Sequence, residues 1–228
     1  MGERVKELRF PYIDLTHVDA VMLDLDNCLY PYEPTHSMAL AACFTLFEKE
    51  FPRHLQQDAF NTLYRHCRTQ VTERLRPQGC CRSRLLAFQQ LFETLKIPQA
   101  WLHAKHYADH YWNTFVERME PLPEAVAFVQ RCREANIPIC IVSDMEMAIQ
   151  VRKLIKLGVE DAIEFMVTSE ETGEEKPSAA IFECAWKKLT SKLHSLQKGH
   201  CIMVGDSMEK DVVGAQNFGV RGYWVEGL

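Results

Sequence analysis

Apolar positions along this chain follow two periods, and the change between them divides it. Val21-Met22-Leu23 is a short continuous apolar run that stops on Asp24-Leu25-Asp26. Ile137 to Val142, Phe165 to Val167 and Cys201 to Val204 are similar short runs, and Val220 to Val225 is a candidate final strand. Runs of this length read as strands buried on both faces of a sheet. Between residues 35 and 118 no convincing strand occurs. Apolar side chains there recur at helical spacing, as in Leu40, Phe44 and Phe47, and later Leu85, Phe88, Leu91, Phe92 and Leu95. Pro52, Pro77-Gln78-Gly79 and Pro98 cut that stretch into several helices. Downstream, amphipathic helices are predicted over 124–136, 146–157, 178–194 and 208–218, with Gly158 and Gly219 closing two of them. Strands alternating with helices predict an α/β fold, a Rossmann-like parallel sheet joined by right-handed crossovers. The all-helical block is inserted after the first strand. The expected division is residues 1–32 plus 119–228 as the α/β core and 33–118 as a helical cap.

Length and composition narrow the function classes only slightly. The 228 residues allow one large domain, or a core with a smaller insert. A net charge of −5 and no long basic run leave no footprint for a nucleic-acid polymer. No apolar stretch approaches the roughly 20 residues of a membrane span. The charged start Met1-Gly2-Glu3-Arg4 lacks a signal-peptide core. Gly2 could accept a myristoyl group, but Lys6 stands where that signal wants Ser or Thr. The nine cysteines are an odd number without metal-ligand spacing, and Cys43, Cys140 and Cys201 lie in apolar runs. Reduced thiols and a cytoplasmic location are expected.

The chemistry concentrates where the apolar runs end. Ligands of open parallel sheets bind beyond the carboxyl ends of the strands. Asp24 and Asp26 follow the first run, Ser143-Asp144 another, and Asp206 the run before Asp211. Two unit charges 4 Å apart repel by roughly 4 kcal/mol at an effective dielectric of about 20. A hard divalent cation with oxygen ligands removes that cost, and Mg²⁺ suits a few carboxylates facing a phosphate. Lys176, held out of helical geometry by Pro177, stands at the first turn of a helix whose N-terminus adds partial positive charge. A carboxylate nucleophile, a second carboxylate, a hydroxyl donor, a cation and a metal cradle supply what phosphoryl transfer needs, namely positioning and charge neutralisation.

With these residues assembled, the chain resembles the haloacid dehalogenase superfamily in its branch of aspartate-dependent phosphatases. Four segments carry the resemblance in order: Asp24-Leu25-Asp26, Ser143, Glu174-Glu175-Lys176-Pro177-Ser178, and Gly205-Asp206-Ser207 with Asp211. The helical insert looks like that family's small cap. The resemblance implies that Asp24 attacks phosphorus, that Asp26 protonates the leaving alcohol and later activates water, that Ser143 binds a phosphoryl oxygen, and that Lys176 holds the phosphoryl group and Asp24. It implies Mg²⁺ bound by Asp24, the Asp26 carbonyl and Asp206, with Asp211 acting directly or through water. The loop Val167 to Glu171 followed by the Lys-Pro pair looks like members acting on nucleoside monophosphates or sugar phosphates. A small phosphorylated metabolite is the expected partner, with a monomer or homodimer as the assembly.

Two positions depart from the family pattern. Cys28 stands where Thr or Val is usual, and a small thiol should fit. Asp144 follows Ser143, where a neutral residue is often found. An ionised Asp144 aimed at a dianion opposes phosphate binding, so its side chain turns away or the pocket differs.

Other features admit two readings. Arg74, Arg76, Arg82 and Arg84 flank Pro77-Gln78-Gly79-Cys80-Cys81, either as a solvated basic loop or as a cap element reading an anionic or polar leaving group. Arg74, Arg76 and Tyr32 are the expected substrate contacts. Tyr30, Tyr32, Tyr64 and Trp112 read as core or cap-interface aromatics, or as a base-stacking surface. His103, His106 and His110 share a helical face without a carboxylate or Cys to complete a metal site. A phosphomutase would use the same core residues. A dehalogenase needs one Asp without metal, which Asp26, Asp206 and Asp211 argue against. A catalytically inactive binding protein of this fold is the remaining class.

Overall fold

The computed structural model describes residues 9–225; the Gly2 reading lies outside them. Five parallel strands form one sheet in the order β3-β2-β1-β4-β5: β1 Ala20–Leu23, β2 Ile139–Ser143, β3 Ile163–Thr168, β4 Cys201–Gly205 and β5 Arg221–Trp224. The chain lays β2 and β3 on one side of β1 and then crosses to β4 and β5 on the other. That reversal beside β1 opens the crevice in which ligands of such sheets bind. Leu23 lies level with Ile141 on one side and Val204 on the other. The register therefore carries Asp24, Ser143 and Asp206 to the same edge.

Alternation along the strands builds two cores. Ala20, Met22, Cys140, Val142 and Met203 face Ile181, Phe182 and Ala185 of helix α8, Ala179–Lys192. Val21, Leu23, Ile139, Ile141 and Val204 join the other cluster. This one includes Phe128 and Val129 of α5, Pro123–Glu134, and Leu154 and Leu157 of α6, Met147–Leu157. Both faces of the sheet are thus covered, which is why the three central strands β1, β2 and β4 are buried throughout, while the edge strands β3 and β5 carry the exposed Glu164 and Arg221.

Four helices occupy the stretch between β1 and β2: α1 Tyr32–Glu50, α2 Gln57–Leu75, α3 Arg84–Thr94 and α4 Ala100–Arg118. Their shared interior is aromatic. Phe47 packs on Phe60 at 5.0 Å, Tyr64 on Phe88 at 4.8 Å, and Phe92 on Tyr107 at 4.8 Å between ring centroids. Ring pairs at such separations add to the burial of their area. Tyr30, Tyr64 and Trp112 are buried in this interior. His103 packs against Phe51 and Phe92, and His106 lies beside Glu50. The one cluster of metal-capable side chains among the described residues lies elsewhere.

The insert touches the core at the loop after α2. Gly79 N–H donates to the Gly173 carbonyl at 3.0 Å, and a Cβ on Gly79 would stand 2.1 Å from the Ser169 carbonyl oxygen. Only glycine allows that approach. Ser169 belongs to the short helix α7, Ser169–Thr172, which apolar periodicity does not announce. All nine cysteines are free thiols, and Cys28 is fully buried.

One expected element differs in kind. The segment 208–218 is not a single α-helix. It starts as a π-helical turn, Met208–Val213, and continues as α9, Gly214–Phe218. The Ser207 carbonyl accepts from both Asp211 N–H and Val212 N–H, while Asp211 Oδ2 accepts from Ser207 N–H at 2.9 Å. The wide turn swings Asp211 back toward the strand end. Such bulges are frequent at functional sites.

Candidate active site

The backbone after β1 turns sharply on Asn27, whose φ is 60°, in the left-handed region that Asn tolerates. Its side-chain oxygen accepts from Tyr32 N–H at 3.0 Å. Asp24 and Asp26 are thereby fixed below a cavity of about 310 Å³. Core residues Ser143, Asp144, Lys176, Asp206, Lys210 and Asp211 line it. Tyr32, Arg68, Arg82 and Arg84 line it from the insert.

Lys176 organises the acidic end. Its Nζ donates to Asp24 Oδ1 at 2.7 Å, Asp211 Oδ1 at 2.6 Å and the Val142 carbonyl at 2.9 Å. Asp24, Asp206 and Asp211 present carboxylate oxygens within 4.8 Å of one another. Asp211 reaches this position because residue 205 is glycine; a Cβ there would meet the Asp211 carboxyl at 2.3 Å. Burial pushes the Asp24 carboxyl well up; Lys176 opposes that shift, and Asp211 and Asp206 add to it. Burial lowers the Lys176 ammonium, but Asp211, Asp24 and Asp144 outweigh that and hold it well above the usual range. Three carboxylates facing one ammonium leave an excess of negative charge. That donor set, oxygen-only and partly uncompensated, fits a hard divalent cation such as Mg²⁺.

Asp26 has a separate environment. Its Oδ1 accepts from Lys153 Nζ at 2.5 Å and from the Tyr30 hydroxyl, and its Oδ2 accepts from Gln150 Nε2 at 3.3 Å. Burial would raise this carboxyl, but Lys153, Tyr30 and Gln150 together hold it below the ordinary range. Gln150 also donates to Ser143 Oγ at 2.5 Å. The Ser143 hydroxyl therefore keeps its own proton for another acceptor. Gln150 and Lys153 come from α6, three positions apart on its buried face.

The carboxylate of Asp144 is turned aside and neutralised. Its Oδ1 accepts from Lys176 N–H at 2.8 Å, and its Oδ2 pairs with Lys210 Nζ at 2.7 Å. Lys210 also reaches Glu175 Oε2 at 3.3 Å, and Glu175 is ion-paired to Arg82 of the insert. Glu175 is raised by burial and lowered by Arg82 and Lys210, with the lowering dominant.

Asp24, Asp26, Ser143, Lys176, Asp206 and Asp211 are thus brought to one cavity, with Tyr32 at its rim from the insert. Arg74 and Arg76 are not. Arg74, in the last turn of α2, lies along the helix surface and donates to Gln90 at 3.3 Å. Arg76 is 56% exposed and stands 4.0 Å from Glu175. The loop they precede turns its far end inward, so that Arg82 and Arg84 line the cavity instead. Arg68, Lys153, Gln150 and Lys210 complete the surroundings without having been singled out by motif. For Gln150 and Lys153 a signal existed: polar residues on the face of α6 that also carries Leu154 and Leu157.

Residues 18–219 match the family described as haloacid dehalogenase-like hydrolase. The chain is 30% identical, over 89% of its length and 82% of the relative's, to ribulose-1,5-bisphosphate 5-phosphatase of Halopiger xanaduensis. It is 32% identical to pyrimidine 5'-nucleotidase YjjG of Escherichia coli over 50% of this chain and 48% of that protein, so this second match spans about half of each. Among solved structures, magnesium-bound HAD-hydrolase YfnB of Bacillus subtilis superposes with a TM-score of 0.67 at 18% identity, covering 91% of this chain and 88% of that one. A 2-haloacid dehalogenase of Pseudomonas syringae gives a TM-score of 0.68 at 18% identity over 91% and 86% of the two chains, a likeness of fold. Among the described residues no helix is long and apolar enough to cross a membrane. On the extent of the family match, the chain belongs to the haloacid dehalogenase-like hydrolases.

Proposed function

We propose that this chain is a Mg²⁺-dependent phosphomonoester hydrolase that works through an aspartyl-phosphate on a small phosphorylated metabolite, a sugar phosphate or nucleoside monophosphate. The observation that carries the reading is Lys176 bridging Asp24 and Asp211 beside Asp206, at the floor of a cavity of about 310 Å³. The similarity to a bisphosphate phosphatase and a nucleotidase supports the substrate class.

Asp24 attacks phosphorus, forming an oxygen–phosphorus bond as the bond to the leaving oxygen breaks. Asp26 gives its proton to that leaving oxygen. In the second step Asp26 takes a proton from water, the water oxygen bonds to phosphorus, and the Asp24 carboxylate departs. Ser143, oriented by Gln150, donates to a phosphoryl oxygen, and Lys176 neutralises negative charge on both Asp24 and the transferred group. Asp24, Asp206 and the Asp26 carbonyl would hold Mg²⁺, which when bound supplies positive charge beside the phosphoryl oxygens. Asp211 serves mainly as an anchor, since Lys176 and Ser207 N–H engage its two oxygens. Tyr32 and the insert above the site would limit water during the first step.

The test is hydrolysis of an aryl phosphate and of a panel of sugar phosphates and nucleoside monophosphates with Mg²⁺. Activity lost in excess chelator and restored by Mg²⁺ is expected. Activity indifferent to chelator overturns the metal assignment, and no hydrolysis of any ester overturns the reading.

A further inference from the structure

The cavity separates its charges into two groups. At the sheet edge every cation has an anionic partner: Lys176 has Asp24 and Asp211, Lys153 has Asp26, and Lys210 has Asp144 and Glu175. Arg82 on the insert is likewise paired with Glu175. Two other arginines of the insert are different. Arg84 is 2% exposed, and among the described residues it has no carboxylate partner. Its Nη1 donates to the Arg82 carbonyl at 2.7 Å, its Nη2 donates to the Tyr32 hydroxyl, and its Nε is buried without an acceptor. The guanidinium lies 5.6 Å from the centroid of Tyr111 and 5.5 Å from that of Trp112. Arg68, half-buried on α2, lines the same cavity and has neither ion pair nor hydrogen bond among the described residues.

A buried cation is ordinarily paired, because leaving it alone in a low-dielectric surrounding is costly. Ring faces and a phenol hydroxyl offset that only in part. Buried Arg84 and half-buried Arg68 reach the cavity from the insert, whereas the residues that would handle the transferred phosphoryl group come from the core. The phosphoryl dianion is already provided for by Lys176, Ser143 and the metal cradle. The remaining positive charge is available to a different anion on the same molecule.

We propose that Arg84 and Arg68, with the Tyr32 hydroxyl, bind a second anionic group on the leaving part of the substrate, a phosphate or a carboxylate. The substrate class is then a small phosphate ester with an acidic tail, rather than one with a neutral tail. Planar guanidinium donors suit both oxyanions, and Arg84 is pre-organised by its two existing hydrogen bonds. The cavity of about 310 Å³ admits a phosphoryl group and a short tail. This inference rests on the phosphomonoesterase reading above.

The experiment compares kcat/KM, with Mg²⁺ present, for four esters: an aryl phosphate, a short sugar monophosphate, the matching bisphosphate, and a phosphorylated hydroxy acid of the same size. The wild-type chain should favour a doubly anionic ester over the sugar monophosphate by about 10- to 100-fold, the range of a charge-assisted contact. The better of the bisphosphate and the hydroxy acid identifies the oxyanion. Arg68→Gln should shrink that ratio and Arg68→Glu should invert it, with thermal unfolding confirming the fold of each. Because Arg84 is buried, Arg84→Lys serves as the second variant, which keeps charge but loses the fork and should also shrink the ratio. Hydrolysis of the aryl phosphate without preference for a second anion overturns the inference and leaves the phosphatase reading intact. A wild-type preference that survives Arg68→Glu overturns it as well. No hydrolysis of any ester overturns both.

Discussion

Lys153 Nζ sits 2.5 Å from Asp26 Oδ1, and the lysine is wholly buried beneath Trp112 and Phe115 of the insert. The pair couples the proposed acid–base residue to the insert through α6. In this arrangement Asp26 favours the carboxylate, the form that would take a proton from water in the proposed second step. A phosphoryl dianion arriving beside it counters Lys153 and favours proton uptake for the first. Lys153→Met should therefore lower kcat by about 10- to 100-fold, part of the usual acid–base contribution. The loss should be larger for an alkyl ester, whose leaving oxygen needs a proton, than for an aryl phosphate. An equal loss on both would show that Lys153 acts only in folding.

Asp24→Asn keeps the shape of the side chain and removes the attacking charge. Turnover should fall by several orders of magnitude, with Lys176 still seated against Asp211. A phosphoryl or metal-fluoride adduct on the wild-type chain should be found on Asp24. An adduct on any other residue refutes the assignment, which mass spectrometry of the trapped protein decides.

The central strands were legible because burial on both faces makes them apolar without interruption, and their polar ends marked the site edge. Asp24, Ser143 and Asp206 could be placed together from that alone. The path of the chain within the insert was not legible. Arg74 and Arg82 are near in sequence, but one lies along α2 and the other, beyond the Gly79 contact, faces the cavity. Only the three-dimensional turn of that loop distinguishes them. The π-helical turn at Met208–Val213 was hidden too, since the contacts that stabilise it are made by Asp211 to Lys176 and Ser207. Asp144 raised a question of sign that sequence could not answer, because its neutralising partner Lys210 is 66 positions away.

That partnership makes its own prediction. Lys210→Met would leave Asp144 and Glu175 with less positive charge, at the cavity proposed to take an anion. The Michaelis constant for an aryl phosphate should rise about 10-fold, with a smaller change in kcat. Adding Asp144→Asn should recover part of the loss, since it removes the charge that Lys210 had neutralised. A double-mutant cycle measures the coupling. Strictly additive losses would mean that the pair does not act as a unit.

His36 supplies a pH dependence of stability outside the acidic cluster. Its Nδ1 lies 2.7 Å from the Tyr111 hydroxyl, and its ring is 5% exposed. Burial, followed by the positive charges of Arg84, Arg68 and Arg65, pulls its pKa down to about 3. The unfolded chain has an ordinary imidazole near 6.5, so between about 6.5 and 3 the unfolded state binds a proton that the folded state refuses. Stability from this group is complete above the unfolded value and declines as pH falls through the window, by up to about 1.4 kcal/mol per pH unit. His36→Gln keeps a polar atom toward Tyr111 and removes the titration. Urea unfolding at pH 7.5 and 5.5 should show the wild type losing about 1.4 kcal/mol more than the variant over that interval. Carboxylates shared by both proteins cancel in the comparison. Parallel losses would mean that His36 takes up a proton in the folded state, and that Arg84 and Arg68 impose less positive field on this side of the cavity than their lack of carboxylate partners implies.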